Sequence, residues 1–182
     1  MSSLERRLHA IFAILLATSV GGCGQPVDET PDPTAAVALV DHAAWSVATS
    51  DPLATHRPAD ASCESGSHYV EDDALEVQTG YCNYLVLEQP SLAAVRTGDQ
   101  IELLMVHADL DAPEAAELHI ALLWDDAIAW EHTSPIPGPA QAFDRDWVAP
   151  ADRPLGSRLV LHLHNHGFNS YKFISLDVRR AP

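Results

Sequence analysis

Three histidines alternate along one short stretch, Leu159-Val-Leu-His-Leu-His-Asn-His-Gly167. Period-two alternation over this length predicts a half-buried β-strand. Leu159, Leu161 and Leu163 belong to a core, and Val160, His162, His164 and His166 share the opposite face. That face is either a solvated surface or a binding site. Side chains two apart on a strand lie about 6.7 Å apart at Cα, so His162 and His164 can both reach one metal ion. His166, about 13 Å from His162, cannot complete that site. A further ligand must come from a neighbouring strand. His107, Asp109 and Asp111 share a face if their strand runs on, and His119 is another option. Zinc suits such a mixture of imidazole and carboxylate. Calcium would use Asp109 and Asp111, Glu71-Asp72-Asp73 or Asp125-Asp126, none of which has a dedicated loop spacing.

The same face suits an organic ligand. Gly167-Phe168-Asn169-Ser170 forms a turn, and Tyr171 to Val178 alternates again. A hairpin closed by His166 and Tyr171 would set Leu163, Leu161 and Leu159 against Ile174, Leu176 and Val178. It would also set His164 against Phe173. Tyr171 and Phe173, with His162, His164, His166 and an exposed Trp130, would then form a ligand face. Aromatic rings there stack on sugars while imidazoles bind hydroxyls. Trp124 alternates with aliphatic residues and reads as core.

Enzyme signatures are sparse. There is no G-x-S-x-G elbow, H-E-x-x-H pair, P-loop or dinucleotide glycine pattern. Ser65-Gly66-Ser67-His68 sets serines beside a histidine without a third member, and triads meet in space rather than in sequence. The reading favours a protein that is not an enzyme and needs no cofactor.

The elements that must position these residues are short strands. The 182-residue chain has room for one ordinary domain. Val37 to Val47 reads as an edge strand. Strands follow within Leu75–Leu87 and over Gln100–Val106, Leu118–Trp124, Ile128–His132 and Gln141–Val148, before the final pair. Turns of Gly, Pro and Asp separate them, so residues 37–182 are predicted to form an all-β antiparallel sandwich. Residues 50–72 hold little to bury. Cys63 and Cys82, in an exported chain, predict a disulfide that staples this segment.

Export is read from the other end. Arg6 and Arg7 precede an apolar run from Ala10 to Val20, the length of a signal-peptide hydrophobic region and too short to span a bilayer. Val20-Gly21-Gly22-Cys23 resembles the lipobox of bacterial lipoproteins. That resemblance implies that residues 1–22 are removed and that Cys23 is acylated, with the protein anchored in the cell envelope by lipid. Gly24 follows in place of the aspartate of inner-membrane retention, which implies the outer membrane. Residues 23–36, rich in Pro and acids, read as a flexible tether. A net charge of −16 argues against nucleic acid or anionic membrane surfaces as partners.

The strand order resembles jelly rolls of galactose-binding-like domains and carbohydrate-binding modules. The residues behind this are Gly98-Asp99 before a long strand, Trp147-Val148-Ala149-Pro150 before Gly156, and the closing Asn165 to Tyr171. The resemblance implies a non-catalytic module that binds a glycan or an envelope protein. Two alternatives stay open: a metal-binding protein or metalloenzyme using His162 and His164, and a structural lipoprotein without a ligand site.

Overall fold

The computed structural model describes residues 35–181. The export signal, Cys23 and most of the tether lie outside them. Among the described residues there is no α-helix, and no helix long and apolar enough to cross a membrane.

Two antiparallel sheets face one another. The first has the order β3-β4-β11-β6-β9, with β1 also against β11, and the second has the order β2-β5-β10-β7-β8. The first sheet is built from β1 (Val37–Ala38), β3 (His68–Glu71), β4 (Ala74–Gln78), β6 (Gln100–His107), β9 (Gln141–Val148) and β11 (Ser170–Arg179). The second holds β2 (Ser46–Val47), β5 (Tyr84–Pro90), β7 (Ala116–Trp124), β8 (Ala127–Ile136) and β10 (Arg158–His164). This is the predicted antiparallel sandwich. Alternation explains its core. Ile101, Leu103 and Met105 of β6 are buried while Glu102, Leu104 and Val106 between them are less so. Leu159, Leu161 and Leu163 point to the same core from the opposite sheet, as expected.

Three sequence expectations are corrected. The hairpin of the last two strands does not form. β10 pairs with β5 and β7, whereas β11 pairs with β4 and β6 in the other sheet. The chain crosses the sandwich at residues 165–169. Second, β11 carries a bulge between Phe173 and Ser175. The extra residue reverses the alternation, so Tyr171 and Phe173 point inward along with Leu176 and Val178. Third, Val37–Val47 is not one edge strand. A one-turn 3-10 helix at His42–Ala44, capped by the Asp41 side chain on the Ala43 amide, carries the chain from β1 to β2 in the other sheet.

Burial of the outer face of the second sheet is the feature that shapes the site. Antiparallel sheets commonly present one polar face to water. Here Tyr84, Val86, Ala121, Leu123 and Val160 form a second apolar cluster on the outer side, covered by Ala48, Leu53 and Ala61. Residues 48–62 thus make a roof over the strands. The Cys63–Cys82 disulfide forms as expected and ties the roof to the start of β5. Asn83 reinforces it: its Oδ1 accepts from the Ser62 amide at 2.8 Å and its Nδ2 donates to the Asp60 carbonyl at 3.2 Å.

Candidate binding site on the covered face of the second sheet

Register assembles the site. His164 lies beside Tyr84 on one flank and His119 on the other, and His162 lies one pleat along, between Val86 and Ala121. His162 is fully buried. Its Nε2 and the Nδ1 of His119 lie 3.2 Å apart and share one hydrogen bond. The other edge of the His119 ring meets Glu131 Oε2 at 3.4 Å. From the roof, His56 stacks on His119 with ring centroids 4.5 Å apart, and meets His162 edge-on at 6.0 Å. Tyr84 lies edge-on to His162 at 5.1 Å, and His164 and His166 are 5.0 Å apart. Three imidazoles, of His56, His119 and His162, therefore adjoin one another, and Tyr84 lies between them and the His164–His166 pair.

Burial favours the neutral form of His162 and His164. His162 is pushed down to about 3, first by loss of water and then by its histidine neighbours. His164 is lowered for the same reasons. The Tyr84 hydroxyl donates to Asp51 Oδ2 at 2.6 Å, and burial together with that carboxylate raises its pKa far above the ordinary range. The Arg57 guanidinium sits 5.0 Å over the Tyr84 ring, a cation–π contact.

Beside this cluster a groove of about 660 Å³ opens between the roof and β5, lined by Asp51, Arg57, Glu64, Ser65, His68 and Tyr84 among others. Its wall is mixed in charge and rich in donors and acceptors. Ser67 does not form a nucleophile–base pair with His68, since its hydroxyl bonds the Glu64 carbonyl at 2.7 Å.

The site residues expected from sequence divide sharply. His162, His164 and His166 are brought together. His107 and Asp109 do not join them. His107 is the inward-facing end of β6 in the other sheet, where its Nδ1–H donates to the Ala108 carbonyl at 2.7 Å and its ring packs near Phe143 and Tyr171. Asp109 is exposed and accepts from the Ala140 amide at 2.7 Å. Among the described residues no group of three or more His, Cys, Asp or Glu is arranged to hold a metal ion. Tyr171 and Phe173 lie in the core because of the bulge, so they cannot face a ligand. Trp130 is half-buried and packs on Phe143 at 5.5 Å rather than standing free. Sequence reasoning missed His56, Arg57 and Tyr84. Tyr84 alternates with Val86 and had a signal, but His56 sits in an irregular segment and had none.

No family model matches the chain, and no curated protein matches it. Solved structures similar to it include carbohydrate-binding modules and an agarase. The module BiXyn10A CBM1, in its apo form, has a TM-score of 0.41 and 12% identity over 82% of this chain and 94% of that one. CBM51 from Clostridium perfringens GH95, in complex with methyl-galactose, has 0.38 and 11% over 79% and 99%. A family 16 module has 0.38 and 10% over 62% and 79%.

Proposed function

We propose that the protein is a lipid-anchored bacterial envelope protein whose sandwich is a non-catalytic binding module for a glycan or an envelope protein. The observation that carries the binding reading is the groove beside the histidine cluster. It offers carboxylates, a guanidinium and a hydroxyl along one wall, held in place by a disulfide-tethered roof. Such a wall hydrogen-bonds a polyhydroxylated or peptide ligand with little reorganisation. The export half rests on Val20-Gly21-Gly22-Cys23.

The test is affinity electrophoresis of the full chain through gels containing neutral and acidic polysaccharides, with crosslinking in intact cells for protein partners. An Arg57→Ala variant should lose retardation or crosslinks. A chain that is neither retarded nor crosslinked, with or without Arg57, would overturn the binding reading. Metabolic labelling with a fatty-acid analogue should mark the chain and not Cys23→Ser.

One observation favours a second reading, metal binding. The facing nitrogens of His119 and His162 are set as two ligands of one ion, with the Glu131 carboxylate on the far side of His119 to orient it. Stoichiometric zinc or copper in purified protein, lost in His119→Ala/His162→Ala, would support it.

A further inference from the structure

A second feature lies at the end of the sandwich where β10 crosses to β11, and it shares no lining residue with the groove. Phe168 is 78% exposed and Tyr81 60%. A lone exposed aromatic is ordinary. These two flank one pocket of about 200 Å³, whose remaining lining includes Gln78, Asp109 and Ser170.

The loop that presents Phe168 is rigid. Asn165 and Asn169 are both buried. Asn169 clamps residue 111 from both sides, its Oδ1 accepting from the Asp111 amide at 2.7 Å and its Nδ2 donating to the Asp111 carbonyl at 3.2 Å. Asn165 Nδ2 donates to Thr79 Oγ1 at 2.7 Å, and the Asn169 amide donates to the same hydroxyl at 2.9 Å. Gly167 has φ +82°, and a Cβ there would lie 2.0 Å from the Asp111 carbonyl oxygen. Phe168 itself lies against Gly80, where a Cβ would come within 2.2 Å of the phenyl ring. The ring is thus seated on a bare backbone while most of its surface stays in water.

The polar side of the pocket is also held. Gln78 Nε2 donates to Ser170 Oγ at 3.2 Å, and Asp109 is fixed by the Ala140 amide. Aromatic surfaces meeting oriented amide, hydroxyl and carboxylate groups match a ligand with apolar C–H faces and hydroxyl edges. The volume is on the scale of one sugar ring. A carboxylate in the lining, on a chain of net charge −16, disfavours anionic ligands.

We infer that the pocket between Tyr81 and Phe168 is a binding site for a single neutral pyranose unit, a glycan end or branch, with the phenyl ring of Phe168 as its stacking platform. The inference rests on the glycan half of the proposed function and not on the groove.

The test is an NMR titration of the full-length ¹⁵N-labelled chain in detergent with the methyl glycosides of glucose, galactose, mannose and xylose. At least one should give saturable shifts at the amides of Gly80, Tyr81, Phe168 and Ser170. Phe168→Ala should weaken that binding at least tenfold. Gly80→Ala, which keeps the phenyl ring but lifts it from its seat, should also weaken it, whereas Leu155→Ala, an exposed control outside the pocket, should not. Binding by Phe168→Ala equal to the parent, or shifts confined to Arg57, Glu64 and Tyr84, would overturn this site and leave the proposed function standing. No shift with any of the four glycosides would overturn the site. If the polysaccharide gels and crosslinking were negative as well, the binding reading would fall with it.

Discussion

His119 and His162, 43 residues apart in sequence, meet through Nδ1 and Nε2 at 3.2 Å beneath a roof that excludes water from them. Burial disfavours the charged form of His162 in this contact. A protonated His162 would present two N–H donors, and its Nδ1 has no acceptor among the described residues. Charging it would also set it against the rings of His56, His119 and His164, with Asp51 as the nearby opposing charge.

The first prediction is acid lability. The folded-state value of His162, about 3, lies below its unfolded value of 6.5. Between these the unfolded chain binds more protons, so stability is full above pH 6.5 and falls as pH drops toward 3. The contribution is about 1.4 kcal/mol per pH unit at the steepest. Urea unfolding at pH 7.5, 6.0 and 5.0 measures it. His162→Gln should flatten the slope.

The single lysine makes a prediction in a more acidic window. Lys172 Nζ lies 3.0 Å from Glu76 Oε2 and 3.1 Å from Glu71 Oε2. Burial would raise the Glu76 carboxyl, but bonds from Lys172 and Ser170 outweigh it and hold the group at about 2. The stabilisation is present above pH 4.5 and lost as pH falls toward 2. Lys172→Met should lower the urea midpoint at pH 7, and its deficit against the parent should vanish in that acidic window.

The disulfide should matter most at the roof. It closes a loop across 19 positions and is worth about 3 kcal/mol in the chain-entropy account. Cys63→Ser/Cys82→Ser should lose that much in chemical denaturation. Hydrogen exchange should quicken first at residues 54–62, and the groove variants should lose their effect on ligand.

Asn165 is the keystone of the crossing loop. It is fully buried, accepts from the Tyr171 hydroxyl and donates to Thr79. Asn165→Ala strands these partners and should cost about 2–3 kcal/mol. Mobility of the Phe168 ring, read from its NMR line widths, should rise with it.

Much of this protein follows from local pattern. Alternation at 159–163 predicts a strand whose leucine side points to the core, and a further strand is read at 100–106. The Cys63–Cys82 pair is expected from the cysteine count once the chain is read as exported. His162 and His164 are correctly picked out as neighbours on one face. Local alternation reports only which side chains share a side of one strand. It is silent on which strand hydrogen-bonds to which, because that choice is made by non-local packing. Thus β10 and β11, adjacent in sequence, separate into two sheets. One bulged residue near Ile174 moves Tyr171 and Phe173 from the proposed ligand face into the core. The tertiary structure alone decides that the histidine face is roofed, and that His56 and His119 complete it. The roof has no periodicity to betray it. Its place is set by a disulfide, by Asn83 and by a few apolar side chains that find the outer face of the sheet drier than water.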